Sequence, residues 1–227
     1  MHPVIEMSKK AGRTSLLEPE AVEVLRSYGL PLVEARFART VDEALQAADE
    51  IGFPVVLKVV SPGILHKSDA GGVKVNLKDA SRVSEAFEEI LSNARAYDPL
   101  AVVHGVLVSA FVPGGLEVVV GLTEDVEFGR VVMFGLGGIF VEVLKDVVFR
   151  RIPLREEDSR AMVREIKGWP LLSGARGRAP LDVRAIEELL VKVSRLALAE
   201  PEIKEMDLNP ISLREDGAVI LDARVLV

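Results

Sequence analysis

The residues able to do chemistry crowd into one run, Lys58-Val-Val-Ser-Pro-Gly-Ile-Leu-His66-Lys67-Ser68-Asp69-Ala-Gly71-Gly72-Val73. It begins on an apolar strand expected over 54–60 and closes on a glycine pair leading into a second strand over 73–77. Two ammonium groups, an imidazole and a hydroxyl in one loop suit a charged ligand such as phosphate. Glycines at 71 and 72 let backbone N–H groups approach phosphate oxygens without a Cβ in the way. A plain hydrophilic β-hairpin loop has the same composition, so other parts of the chain must separate the two readings.

A second cluster lies near the C-terminus: Glu205-Met-Asp207-Leu-Asn209-Pro210, then Ile220-Leu221-Asp222-Ala-Arg224. Asp207 and Asn209 are two apart, so in an extended segment both side chains leave one face. Asp222, on a neighbouring strand, would complete an oxygen-donor set of the kind magnesium takes. Asn-Pro also starts turns, which is the alternative use of that pair. Lys58 ends an apolar strand, and a partly buried ammonium needs an anion: phosphate, or an acid such as Asp207 or Asp222. His66 reads as a nucleophile toward phosphorus or as a general base. His2 reads as tail and His104 as a structural residue at a strand start. Glu117, after Pro113-Gly-Gly, faces either a ribose hydroxyl or solvent. Phe134-Gly-Leu-Gly137-Gly138 lacks the Gly-x-Gly-x-x-Gly spacing and precedes β-prone residues, which excludes a dinucleotide-binding fingerprint; no Gly-x-x-x-x-Gly-Lys-Ser/Thr run is present either.

The elements that must position these groups follow from periodicity and caps. Residues 1–14 read as a flexible lead-in. Pro19 and Gly29 bracket a short helix with Ala21, Val22, Leu25 and Tyr28 on one face. Thr40-Val-Asp-Glu43 is a capping box for a second helix, and a third is expected over 81–94. Strands follow over 106–112, 117–122 and 130–134, then an apolar stretch over 139–144 and the basic pair Arg150-Arg151. Helices resume over 156–167 and 182–199, and strands over 203–207 and 218–222 finish the chain. This interleaving predicts an α/β chain of two α+β lobes, 1–107 with its lead-in and 108–227, with a ligand in the cleft between them.

Composition narrows the class. At 227 residues, with 49% hydrophobic and 28% charged residues, the chain suits a globular protein. A net charge of −7 and 5% aromatics argue against nucleic acid as a partner. Without cysteine there are no disulfides, thiolate metal sites or thiol chemistry, which suits a reducing cytoplasm. Residues Met1 to Arg13 are polar and lack the apolar core of a signal peptide, and no apolar run approaches the ~20 residues that span a bilayer, so neither a secretory nor a membrane location is expected.

Taken together, the motifs resemble the ATP-grasp (β) subunit of ADP-forming acetyl-CoA or acyl-CoA synthetases, relatives of succinyl-CoA synthetase β chains. The matching segments are Leu-His66-Lys-Ser-Asp-Ala-Gly-Gly-Val, Pro113-Gly-Gly-Leu-Glu117-Val-Val-Val-Gly121, the run from Val132 through Glu142 to Asp146, Leu171-Leu-Ser-Gly-Ala-Arg176-Gly, Asp207-Leu-Asn209-Pro and Leu221-Asp222-Ala. The likeness runs from about Pro19 to the end.

The resemblance implies an ATP-grasp fold and a ligase that reversibly converts acyl-CoA, ADP and phosphate into acid, CoA and ATP. It implies that Lys58, with Lys67 and Ser68 beside it, meets nucleotide phosphates and that Gly71 and Gly72 belong to a lid. The hinge under the adenine would be Ser109 to Val112, including Phe111, with Glu117 near the ribose. Asn209 and Asp222 would hold Mg²⁺, supported by Asp207. His66 matches a histidine of this branch proposed to relay a phosphoryl group from a partner α subunit, which carries the CoA site and its own phosphohistidine, to ADP. An α₂β₂ heterotetramer is expected, with the middle glycine-rich segment or the Arg176 loop against the partner. Two alternatives are a stand-alone ATP-grasp carboxylate–amine ligase and a nucleotide-sensing subunit without chemistry.

Overall fold

Runs of β-branched residues set the strands. In Val55–Val60 all six residues are buried, so this strand must be central and covered on both faces. The computed structural model describes residues 1–64, 66–138, 146–177 and 179–227, with the side chain of Arg176 also left out. The apolar stretch expected over 139–144 and the Arg176 side chain therefore lie outside the described residues.

Two units are distinct in their internal contacts, the smaller made of Leu17–Pro19 and Val33–Pro113, the larger of Met1–Leu16, Glu20–Leu32 and Gly114–Val227. A single division at 107/108 was expected. In the structure the division in this part of the chain falls at the Pro113-Gly114 turn, and most of the first 32 residues join the C-terminal part.

The smaller unit contains β1 (Ala35–Ala38), α3 (Val41–Ile51), β2 (Val55–Val60), β3 (Val73–Leu77), α4 (Ala80–Tyr97) and β4 (Gly105–Ala110). Its strands form an antiparallel sheet in the order β1-β4-β2-β3. Alternation on β2 sends Val55, Leu57 and Val59 to the core shared with Ala44, Ala48, Val83, Phe87 and Ile90 of the helices. Val56, Lys58 and Val60 point the other way, where Val60 packs with Ala35 and Leu107 under Leu17. The Thr40 hydroxyl accepts from Glu43 N at 3.2 Å, while the Glu43 carboxylate accepts from Arg39 N at 2.6 Å. The expected capping box is thus closed one residue earlier than its usual form.

In the larger unit, α1 (Pro3–Lys10) and α2 (Glu18–Ser27), apart from its first two residues, precede β5 (Leu116–Asp125), β6 (Gly129–Leu136) and β7 (Val147–Arg151). Then come α5 (Glu156–Glu165), α6 (Trp169–Leu172), a 3₁₀ turn (Ala175–Gly177), α7 (Val183–Ala199), β8 (Glu205–Arg214), β9 (Gly217–Ile220) and β10 (Ala223–Leu226). The antiparallel sheet runs β10-β8-β5-β6-β7, with β9 also on β8. Val118, Val120, Leu122 and Phe134 on one face of this sheet pack against Ile186, Leu189, Leu190 and Val193 of α7 and Met162 of α5. Strands β1, β7 and β10 are not legible from local pattern. They are short, mixed in polarity and become strands through the neighbours they pair with. Among the described residues no helix is long and apolar enough to cross a membrane.

The flexible lead-in expected over 1–14 is corrected: Pro3–Lys10 is a helix whose Ile5 and Ser8 are fully buried. His2, read as tail, is its N-cap, its Nδ1 accepting from Val4 N at 3.3 Å. The cause is tertiary. Thr14 O accepts from Val227 N, Leu16 N donates to Val225 O, and Glu200 at the end of α7 accepts from His2 N at 3.0 Å and from the Tyr28 hydroxyl at 2.7 Å.

Burial first, and the hydrogen bond to Glu200 second, push the Tyr28 phenol up to about 12. Since the folded pKa lies above the ordinary value of 10.0, this link stabilises the fold fully below pH ~10 and is lost as pH rises through about 12. Spectrophotometric titration of the Tyr97→Phe protein should show Tyr28 ionising near 12, and Glu200→Gln should lower that midpoint.

Candidate functional site

Strand β8 carries the acid–amide pair, and the ladder around it explains why Asp222 joins them. Residues 205–208 of β8 pair with β10, and residues 211–214 pair with β9. Between these two ladders the partner strand breaks, and the pairing of β8 with β5 also shifts register across the same place. At the break Asn209 N donates to Asp222 O at 3.2 Å and Leu221 N donates to Pro210 O at 3.0 Å. Such irregularities bend a strand and re-aim its side chains. Asp222 therefore lies beside Asn209, in the link between β9 and β10 and not within a strand as expected.

Asp207 and Asn209 line an open cavity of about 390 Å³ with Val119, Gly121, Met133 and Phe149. Gly121 sits opposite both Asp207 and Met133 in the sheet, and a Cβ there would come 3.2 Å from Met133 Cε. The absent side chain keeps the floor of the cavity low. Burial first, and the neighbouring Asp222 charge second, raise the Asp207 carboxyl above the usual range, while Arg224 opposite it on β10 pulls the other way. Two acids and an amide oxygen gathered so closely are hard oxygen donors of the type a divalent cation takes. Glu117, exposed on the same β5 strand, has its carbonyl bonded by Gly137 N at 2.8 Å. Gly138 takes φ +59°, and a Cβ on it would stand 2.8 Å from Glu117 Oε2. The glycines of this segment let the chain lie close against Glu117.

In the smaller unit the lysine–histidine loop has a defined shape. Ala70 N donates to His66 O at 3.3 Å, Gly71 N to Ser68 O at 3.0 Å and Gly72 N to Lys67 O at 2.8 Å. Gly71 takes φ +61° beneath Asn93, whose Nδ2 donates to Gly71 O at 3.1 Å. At Gly72 a Cβ would lie 2.5 Å from Val59 Cγ1. Both glycines are thus demanded by packing, and both of their N–H groups serve the turn, a use that differs from the phosphate cradle expected for them. His66 and Ser68 are exposed.

Lys58 is 7% exposed, and its ammonium is 2.7 Å from Glu18 Oε1. Lys67 reaches the same carboxylate, at 3.0 Å from Oε2. The acid expected to answer Lys58 was Asp207 or Asp222. The observed partner is Glu18, forty residues upstream and itself buried. Sequence reasoning missed Glu18 and Asn93. Glu18 stands just before the Pro19 of a helix start, where it reads as an ordinary first-turn acid, and only its burial sets it apart. Of the expected hinge, Ser109 lies inside β4 at 2% exposure between Val56 and Ala35. Phe111 and Val112 follow the strand, half-buried, with Phe111 N donating to Pro54 O at 3.1 Å.

The model of an ATP-grasp domain family matches residues 7–227. The β subunit of acetate–CoA ligase [ADP-forming] I from Pyrococcus furiosus is 52% identical over 224 residues, covering 99% of this chain and 96% of that protein. Among solved structures, the dinucleotide-forming acetyl-coenzyme A synthetase 1 of Ca. Korarchaeum cryptofilum, in complex with coenzyme A, Ca-AMPCP and HgCl⁺, superposes with a TM-score of 0.96 at 46% identity, covering 99% of this chain and 98% of that one. A second structure of that enzyme, with coenzyme A and Mg-AMPPCP, has its phosphohistidine segment pointing towards the nucleotide-binding site; it matches with a TM-score of 0.87 at 44% identity, over 99% of this chain and 98% of that one. With its strand break of acid and amide donors, its lysine loop and these matches over almost its whole length, the chain belongs to the ATP-grasp family of β subunits of ADP-forming acetate–CoA ligases.

Proposed function

We propose that this chain is the nucleotide-handling subunit of an ADP-forming acyl-CoA synthetase, a ligase catalysing acyl-CoA + ADP + phosphate = acid + CoA + ATP. In this reading a partner α subunit holds CoA and forms the acyl phosphate, and its phosphohistidine passes the phosphoryl group to this chain in a cytoplasmic heterotetramer. The observation that carries it is the exposure of the His66 imidazole in the loop that also carries Lys67, whose ammonium shares the Glu18 carboxylate with Lys58. An imidazole in the solvent can meet a phosphoryl donor; one packed in a core could not.

Each residue set has a task. Lys58 and Lys67 neutralise phosphate charge, which dominates the requirements of phosphoryl transfer along with in-line placement. His66 accepts the phosphoryl group at a ring nitrogen, breaking the partner's N–P bond, and then yields it to the terminal oxygen of ADP. Ser68 and the turn closed by Gly71 and Gly72 fix where that imidazole stands. Residues 109–112, with Phe111 and Val112, border the base, and Glu117 meets the ribose. The donor set fits Mg²⁺: Asn209 and Asp222 would hold it, with Asp207 in support. When bound, that ion would neutralise charge on the phosphate oxygens. Support for nucleotide and metal comes from the two synthetase structures that carry metal-bound nucleotide analogues.

Three outcomes are expected. Incubation with an α subunit, acetyl-CoA and labelled inorganic phosphate, without ADP, should release CoA and acetate and place acid-labile, base-stable label on the wild-type chain, and His66→Ala should abolish that label while MgADP binding by calorimetry stays intact. Label persisting on His66→Ala would refute the relay. Asp222→Asn or Asn209→Ala should weaken MgADP binding by about tenfold or more while changing metal-free ADP binding little, because only the metal-bound form uses these oxygens. The chain alone should show no acyl-CoA-dependent ATP formation, which the partner restores.

A further inference from the structure

We infer that Glu18 is a positioning residue for phosphate recognition: its buried carboxylate pre-sets the ammonium groups of Lys58 and Lys67 as a pair. The inference rests on the reading that these lysines meet nucleotide phosphates. A carboxylate at 8% exposure is costly to bury and persists only where cations answer it. Glu18 divides its two oxygens between cations from different elements, Lys58 on β2 at 2.7 Å and Lys67 in the loop at 3.0 Å. Glu18 opens α2 and Pro19 follows it in the first turn, which restricts the backbone from which the carboxylate projects.

The main chain of the loop does not depend on this contact. Turn hydrogen bonds within residues 66–72 and the Asn93 amide on Gly71 O hold it, with Gly72 wedged against Val59. What Glu18 adds is the placement of two long, flexible side chains. Ordering a lysine costs side-chain entropy, and a group that orders it before the ligand arrives removes that cost from binding. An ammonium has three donors, so holding a carboxylate is compatible with donating to a phosphate oxygen.

Calorimetry on the full chain tests this, with MgADP and adenosine as probes and thermal midpoints recorded alongside. Glu18→Gln should weaken MgADP binding about tenfold or more and leave adenosine binding unchanged, since adenosine carries no phosphate. With the α subunit present, the KM for ADP should rise by a similar factor while kcat at saturating ADP stays near wild type. Glu18→Asp should retain part of the affinity, and Lys67→Met should cost much less in the Glu18→Gln background than in the wild type. If Glu18→Gln does not fold, Glu18→Asp carries the same comparison. MgADP bound as tightly or more tightly without the carboxylate would overturn the inference, the latter by making Glu18 a competitor of phosphate. Equal loss for MgADP and adenosine would also overturn it, by reducing Glu18 to support of the fold. A wild-type chain that binds adenosine but shows no gain from phosphates would instead refute the reading of the lysines, and this inference with it.

Discussion

Strand β8 bonds along one edge to β5 and along the other to two short strands in succession, and the change from β9 to β10 cannot be made without a break in the ladder. The break falls at Asn209-Pro210 and Leu221-Asp222. Regular pairing would turn alternate residues of β8 into the core and hand the others to a flat outer face. Here the interruption brings Asn209 and Asp222 side by side, two residues along from Asp207, over a sheet floor lowered by Gly121. Most of the larger unit serves to hold that arrangement: α7 and α5 bury the far face of the same sheet, and the N-terminal helix is tied down through Glu200.

Each unit brings several charged groups together in one place. In the larger one, carboxylates stand close enough that Asp207 binds its proton more tightly than an ordinary aspartate, with burial the main cause and Asp222 the second. In the smaller one, two lysines share a single buried glutamate. Neither is an economical way to stabilise a fold, because desolvating charge offsets most of what pairing returns.

Glycine pairs illustrate how one residue type answers different demands. Gly71 and Gly72 stand where a side chain would strike Asn93 or Val59, and their N–H groups close the turn that carries His66. Gly138 lies against the Glu117 carboxylate, and Gly121 opens the sheet face. In each case the glycine makes room for something else to approach, whether another part of the chain or open space at the site.

Local pattern was enough for the elements with strong periodicity: α3, α4, α5 and α7, the buried strand β2 and its partner β3, and the Pro113-Gly-Gly turn. The run around His66 and the Asp207, Asn209 and Asp222 set stood out in the sequence because residue types capable of phosphate and metal chemistry stand at short spacings, and with the other motifs they pointed to the family to which the chain belongs. Only the tertiary structure decided that Pro3–Lys10 is a packed helix, that β1, β7 and β10 are strands, and that Glu18 is the anion answering Lys58. Those outcomes depend on contacts between separate elements, from the pairing of β6 with β7 to Glu18 on Lys58, forty residues away, and Glu200 on His2. Periodicity reports how a segment divides its own faces between core and solvent, and carries no record of which distant partner will cover them.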